Sequence, residues 1–348
     1  MIRRLAVAAT AVAIPFASYG VLVRRGIDRL LAPPRTLPEE AGLGPALDAL
    51  GGELVRLRSR DGLRLAGRWL PAEPNAEGWP DDPNEAIVVL HGYSGSIAPD
   101  LVEYAPFLRR TANVLGIDFR GHGDSDDAET TFGLREVEDL AGALAWLGER
   151  GIQHVALFGT SMGGMTSIAG TVVLGDGKLA SADADPAAPL GVVPPPRPRI
   201  VAIVADSVAP ELPMVVANRI RGPFRGTLAR SLFAGAARRL GADPRATEPI
   251  RVIGLLEGVP LLLIHGEEDS TVPVADGRRL VAAAGPGADS WEVPGAAHSG
   301  AHATEPEDYE RRVTTFLRDA FVGAREAAPI IAAPREPSSG AAGRIDET

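Results

Sequence analysis

The stretch His154-Val-Ala-Leu-Phe158-Gly159-Thr160-Ser161-Met162-Gly163-Gly164 decides the fold. His154–Phe158 reads as a short buried strand, and the residues from Met165 onward read as a helix. Between them lies G-x-S-x-G, the pattern of a serine held on a sharp strand-to-helix turn. The glycines are there for space. Such a turn strains the backbone of its central residue and leaves no room for bulk two positions before or after it. Ser161 would then sit at a helix N-terminus, where free N–H groups and the helix dipole favour developing negative charge. We therefore expect Ser161 to be a nucleophile.

The flanking sequence repeats the strand–helix alternation, the signature of a mostly parallel sheet covered by helices. Glu53–Arg58 and Leu63–Leu70 bracket Asp61-Gly62, a hairpin-type turn. Residues 71–84 form a Pro-rich loop, and Ala86–Leu90 is a continuous apolar run, as a strand buried on both faces requires. Leu101–Thr111 reads as a helix and Asn113–Asp118 as a strand. Leu134–Arg150 has the three-to-four spacing of an amphipathic helix. The alternation breaks at 175–199, a Gly/Ala/Asp/Pro-rich insertion. Ile200–Val204 resumes the sheet. Residues 208–258 contain no convincing strand and read as a helical cap. Val259–His265 and Ser290–Val293 supply the last strands and Tyr309–Phe321 a closing helix, so the main domain spans 53–322. The tail 323–348 lacks apolar periodicity, and disorder is expected there.

A serine needs a neighbouring base at neutral pH. His298, in a Gly-rich loop after the last strand, is well placed to supply it, with His302 as the rival. The acid that orients the imidazole is expected at Asp269, on the loop after Val259–His265. Asp206 is a second candidate, while Glu267 and Glu268 suit a solvated turn. His91-Gly92-Tyr93 ends the strand that starts at Ala86, and an oxyanion hole draws one backbone N–H from this loop and one from the residue after the nucleophile. That nominates Tyr93 and Met162. His91 reads as a structural hydrogen bonder.

These motifs, with Asp118-Phe-Arg-Gly-His-Gly-Asp-Ser125, Phe132-Gly133, Glu136, Asp139, Asp206-Ser207 and Val272-Pro273, are similar to those of the serine-hydrolase branch of the α/β-hydrolase superfamily. That branch is variously labelled BEM46-like, serine aminopeptidase or monoacylglycerol-lipase-like. The resemblance spans roughly residues 53–322. It implies the α/β-hydrolase fold and a structural role for Asp118 and His122. It also implies that Asp206-Ser207 closes a strand at the cap junction, which favours Asp269 as the acid. The insertion at 175–199 departs from the pattern.

Composition narrows the partners. A net charge of −10 leaves no basic surplus for nucleic acid. The absence of cysteine removes disulfides, thiolate metal sites and a thiol nucleophile. The chemistry calls for no metal or organic cofactor. Leu5–Val23 is a 19-residue, almost wholly apolar run between Arg3-Arg4 and Arg24-Arg25. Such a run is about long enough to cross a hydrocarbon core of roughly 30 Å, so residues 1–25 read as a membrane anchor, with a signal peptide as the rival. The arginine counts on its two flanks differ too little to fix the side of the membrane. Residues 26–52 read as a Pro-containing connector with room for a short helix.

The expectation is hydrolysis of a small-molecule or lipid-like acyl ester through an acyl-enzyme. A peptidase or amidase on the same scaffold is the alternative. A membrane-tethered binding protein that has kept the fold without the chemistry is a second one.

Overall fold

A computed structural model of the chain describes residues 19–327, apart from 36, 75–77, 79–81, 94, 176–196 and 221. The insertion at 175–199 therefore lies almost wholly outside the described residues, as do residues 328–348 of the tail and residues 1–18.

Eight strands form one sheet in the order β1-β2-β4-β3-β5-β6-β7-β8. They are β1 (Glu53–Arg58), β2 (Arg64–Leu70), β3 (Glu85–Leu90), β4 (Asn113–Ile117), β5 (His154–Thr160), β6 (Arg199–Asp206), β7 (Leu261–Gly266) and β8 (Ala288–Val293). β2 runs antiparallel to both neighbours and every other pairing is parallel. The central strands β3, β4 and β7 are buried along their whole length, which is why their sequences read as unbroken apolar runs. Helices cover both faces and divide the core into two main clusters. One lies under α4 (Glu136–Glu149) and α5 (Met162–Leu174), the other under α3 (Ala98–Leu108) and α11 (Pro306–Ala327).

Above the carboxyl ends of the strands, residues 208–258 contain helices and turns but, as described, no strand. The longest are α6 (Leu212–Arg219) and α7 (Arg225–Leu240).

The chain departs from the sequence reading at its two ends. Residues 19–31 form a helix, α1, that crosses the boundary drawn at residue 25. It lies against α7: the Tyr19 hydroxyl donates to Ser231 Oγ at 2.8 Å, and Leu31 packs with Ala236 and Leu240. The connector after it carries the short helix α2 (Gly44–Leu50). The last five residues of the run Leu5–Val23 thus belong to a helix docked on the cap. Among the described residues, no helix is long and apolar enough to cross a membrane. At the other end, α11 continues five residues past 322. Ala324 is buried there, and Arg325 lies 3.4 Å from the buried Glu85 carboxylate, contacts that a purely apolar count overlooks.

Candidate active site

Ser161 caps α5 with φ 48°, ψ −109°, a backbone conformation that side-chain-bearing residues avoid. What holds it there is close packing around three glycines. A methyl group on Gly163 would stand 1.9 Å from the Leu90 carbonyl oxygen of β3, and one on Gly159 would stand 2.3 Å from the Gly163 carbonyl carbon. Gly164 leaves similar room for Val208. The Ser161 N–H donates to the Asp206 carbonyl at 2.8 Å, which ties the turn to β6.

Three separate loops converge on this point. The Ser161 hydroxyl lies 3.1 Å from His298 Nε2, and His298 Nδ1 lies 2.7 Å from Asp269 Oδ2. With Nδ1 protonated, the imidazole donates to the carboxylate and presents a free Nε2 lone pair to the serine hydroxyl. Asp269 is buried, and its other oxygen accepts the N–H groups of Thr271 and Val272, both at 2.8 Å. His265 Nε2 is held at 2.7 Å from the Val272 carbonyl and lies 3.7 Å from Asp269 Oδ2.

The other candidates lie elsewhere. His302 sits on α10 (Ala301–Thr304), between the carboxylates of Glu103 at 3.1 Å and Glu310 at 3.4 Å. Its hydrogen bond to Glu103 raises its pKa above the usual histidine value. Glu267 and Glu268 are exposed in the turn after β7. Asp206 is fully buried but does not touch His298. It accepts from Ser207 Oγ at 2.8 Å and Tyr309 Oη at 2.9 Å, and burial pushes its pKa up. Ser207 Oγ in turn accepts the Ser299 N–H at 2.9 Å. Asp206 and Ser207 therefore brace both arms of the site, the serine turn and the histidine loop. Thr160 and Asp100, which no motif marks, form another support behind the turn. The Thr160 hydroxyl donates to Asp100 at 2.7 Å, and burial pushes the Asp100 carboxyl up to about 7.

Neither the Tyr93 N–H nor the Met162 N–H has an acceptor among the described residues. The loop that carries Tyr93 is braced by the segment after β4. Asp118 Oδ1 accepts the Ile97 N–H at 2.7 Å, and the Gly123 N–H donates to the Gly95 carbonyl at 3.0 Å. His91 is buried, and burial pushes its pKa down to about 3. It is neutral: Nε2 accepts the Phe119 N–H at 3.1 Å, so Nδ1 carries the proton toward the Gly92 carbonyl. A neutral ring with both nitrogens engaged is structural. Arg120 forks between Asp61 and Asp139, which pins the same segment to α4.

Above Ser161 opens a cavity of about 520 Å³. That volume falls within the roughly 300–1,000 Å³ usual for small-molecule sites. Its walls come from the elbow, from α6 and α7, and from α1, which contributes Leu22, Gly26, Arg29 and Leu30. Sequence reasoning missed α1 as part of the site. The signal available was the spacing of Leu22, Gly26 and Leu30, one face of a helix that carries on past the arginines.

A family model described as the alpha/beta hydrolase family matches residues 87–312, and the chain belongs to that family. The uncharacterized protein YfhR of Escherichia coli O157:H7 is 26% identical over 290 residues, covering 82% of this chain and 86% of YfhR. The uncharacterized protein YqkD of Bacillus subtilis (strain 168) is 28% identical over 208 residues, covering 58% of this chain and 60% of YqkD. Among solved structures, the Pyrococcus furiosus esterase Pf2001 is similar with a TM-score of 0.58 at 21% identity, covering 83% of this chain and 99% of that one. At that identity the likeness is one of fold.

Proposed function

We propose that the protein is a serine hydrolase of carboxylic esters, with Ser161 as nucleophile, His298 as general base and acid, and Asp269 as the group that orients the imidazole. One observation carries this reading: the continuous chain of contacts from Asp269 Oδ2 through His298 to Ser161 Oγ, at 2.7 and 3.1 Å, assembled from three loops. In the first half-reaction the serine oxygen attacks the acyl carbonyl as its proton passes to Nε2. The N–H groups of Tyr93 and Met162 receive the oxyanion. The imidazolium then protonates the departing alkoxide. Water, deprotonated by the same histidine, cleaves the acyl-enzyme and restores the serine.

Esters suit the site better than amides because their alkoxide leaves more readily and the cavity above Ser161 is mainly apolar. A serine at the elbow also favours the serine-hydrolase branch over fold relatives that use an aspartate. We read the apolar run that begins at Leu5 as what holds the chain to a membrane. A fluorophosphonate probe tests the chemistry directly. Ser161 is expected to be labelled, and Ser161→Ala and His298→Ala are each expected to abolish p-nitrophenyl ester turnover while the circular dichroism spectrum stays unchanged. Folded protein that resists the probe would sink this reading.

A further inference from the structure

We propose that the substrate is an acyl ester carrying an anionic group close to its scissile bond, received by Arg29 and Arg219 on the lining of the apolar cavity above Ser161. The inference rests on the Ser161 chemistry proposed above and adds the class of molecule it acts on.

The cavity has Ser161 and Met162 in its lining, and its walls are largely aliphatic and aromatic: Met165, Leu212, Val216, Leu232 and Phe233 among them. Two charged residues line it, Arg29 of α1 and Arg219 at the end of α6, and no carboxylate does. Both arginines are exposed, which places them where the cavity meets solvent. Neither side chain has a hydrogen-bond or ion-pair partner among the described residues. This is unlike Arg35, Arg60, Arg120 and Arg239, each of which is paired with a carboxylate. Two arginines that have no side-chain partner among the described residues, on the lining of an apolar cavity, offer planar forks for a carboxylate or a phosphate.

Tyr93 ties the α1 side of the cavity to the loop after β3. Its backbone N–H faces the oxyanion position proposed above. Its hydroxyl donates to the carbonyls of Arg29 at 2.9 Å and Leu30 at 3.1 Å, and Arg219 is near enough to act on it electrostatically. The backbone of Arg29 is thus held one tyrosine side chain from the loop that carries the Tyr93 N–H, and with Ser161 and both arginines on the lining of one cavity, a short anionic alcohol group leaves the apolar walls to the acyl chain.

Charge distribution points the same way independently. Residues 19–31 carry three arginines against one aspartate, and residues 212–240 carry six arginines and no carboxylate. A chain of net charge −10 thus gathers +8 on the 42 residues that make up α1 and the α6–α7 arm of the cap. Part of that charge is spent on internal pairing, since Arg239 meets Asp28 and Glu129. Of the remainder, Arg29 and Arg219 line the cavity itself, where positive charge over low-dielectric walls concentrates anions.

The test compares 4-nitro-3-octanoyloxybenzoate with its uncharged methyl ester on the full chain. The anionic ester is expected to have a kcat/KM at least about tenfold higher, mainly through KM, as a binding contribution would. Raising the salt concentration should erode that preference, and Arg29→Gln/Arg219→Gln should bring the ratio to within about twofold of one. Equal turnover of the two esters, or a preference that survives the double substitution, overturns the proposal while leaving the hydrolase reading intact. If neither ester is cleaved, the hydrolase reading fails, and binding decides the anion site by itself. Calorimetry on Ser161→Ala should show octyl phosphate monomers binding at least about tenfold more tightly than octanol, and the double substitution should remove the difference. Vesicles of phosphatidylglycerol are the second arm. Binding to vesicles without binding to the monomer would assign the arginines to a bilayer surface and overturn the cavity site.

Discussion

Asp206 ends β6 and Asp269 lies on the loop just past the neighbouring parallel strand β7; both are buried, yet their hydrogen bonds set them apart. Asp269 receives two backbone N–H groups on one oxygen and faces His298 with the other. Asp206 receives two hydroxyls and no imidazole. Asp269→Asn should therefore lower kcat/KM by a factor on the order of 10³–10⁴, as loss of the orienting acid does elsewhere. Asp206→Asn should cost less than about tenfold in rate and show itself in a lower melting temperature, because buried hydroxyls lose a charged acceptor. Steady-state kinetics and thermal melts on the two variants check this. A larger rate loss from Asp206→Asn would reverse the assignment. At this scale the sequence was informative. The elbow dictates its residue types locally, and the chain order of serine, acid and histidine left few positions to consider. Thr160 and Asp100 were not legible, because a Thr–Asp hydrogen bond across 60 residues leaves no spacing to read.

Between elements, the decisive contact is the approach of α5 to β3 at Gly163. Its missing side chain lets the helix start almost against the Leu90 carbonyl, and that approach aims Ser161 at His298. Backbone cannot yield as a flexible side chain can. Gly163→Ala is therefore expected to cost at least the roughly 1–3 kcal/mol typical of overpacking, which corresponds to several degrees in Tm. It should also displace Ser161 enough to suppress fluorophosphonate labelling. A variant that melts like the parent and labels at the parent rate would contradict this account. Strands β3, β4 and β7 were legible to within a residue or two because full burial leaves unbroken apolar runs. Cavity walls were not. Leu232 and Leu140 belong to the same buried apolar cluster, and nothing in the helical spacing of Leu232 announces that it also lines the cavity.

For the molecule as a whole, α1 changes how the N-terminal apolar run is to be understood. Arginine pairs on both flanks made it look like one 19-residue span. Its last five residues are instead part of the helix that docks on α7. A hydrocarbon core is roughly 30 Å thick and takes about 20 residues of helix to cross, so the run falls short of spanning it while its last five residues stay on α7. We accordingly expect the full chain to sediment with membranes at neutral pH and to be released by alkaline carbonate. Retention after carbonate would mean that α1 leaves the cap to complete a crossing, and loss of the Tyr19–Ser231 contact would accompany it.

The same helix has a consequence for how the protein is made. Tyr19 and Ser231, joined in the folded chain, are 212 residues apart in sequence. At translation rates of about 5–20 residues per second, α1 emerges some 10–40 s before the partner that covers it. Until then Leu30 and Leu31, both buried in the finished fold, have no apolar surface of their own to rest on. The near wall of the cavity is thus also its earliest exposed segment, and a newborn chain would gain most from shelter at that end, beside the apolar residues that precede it.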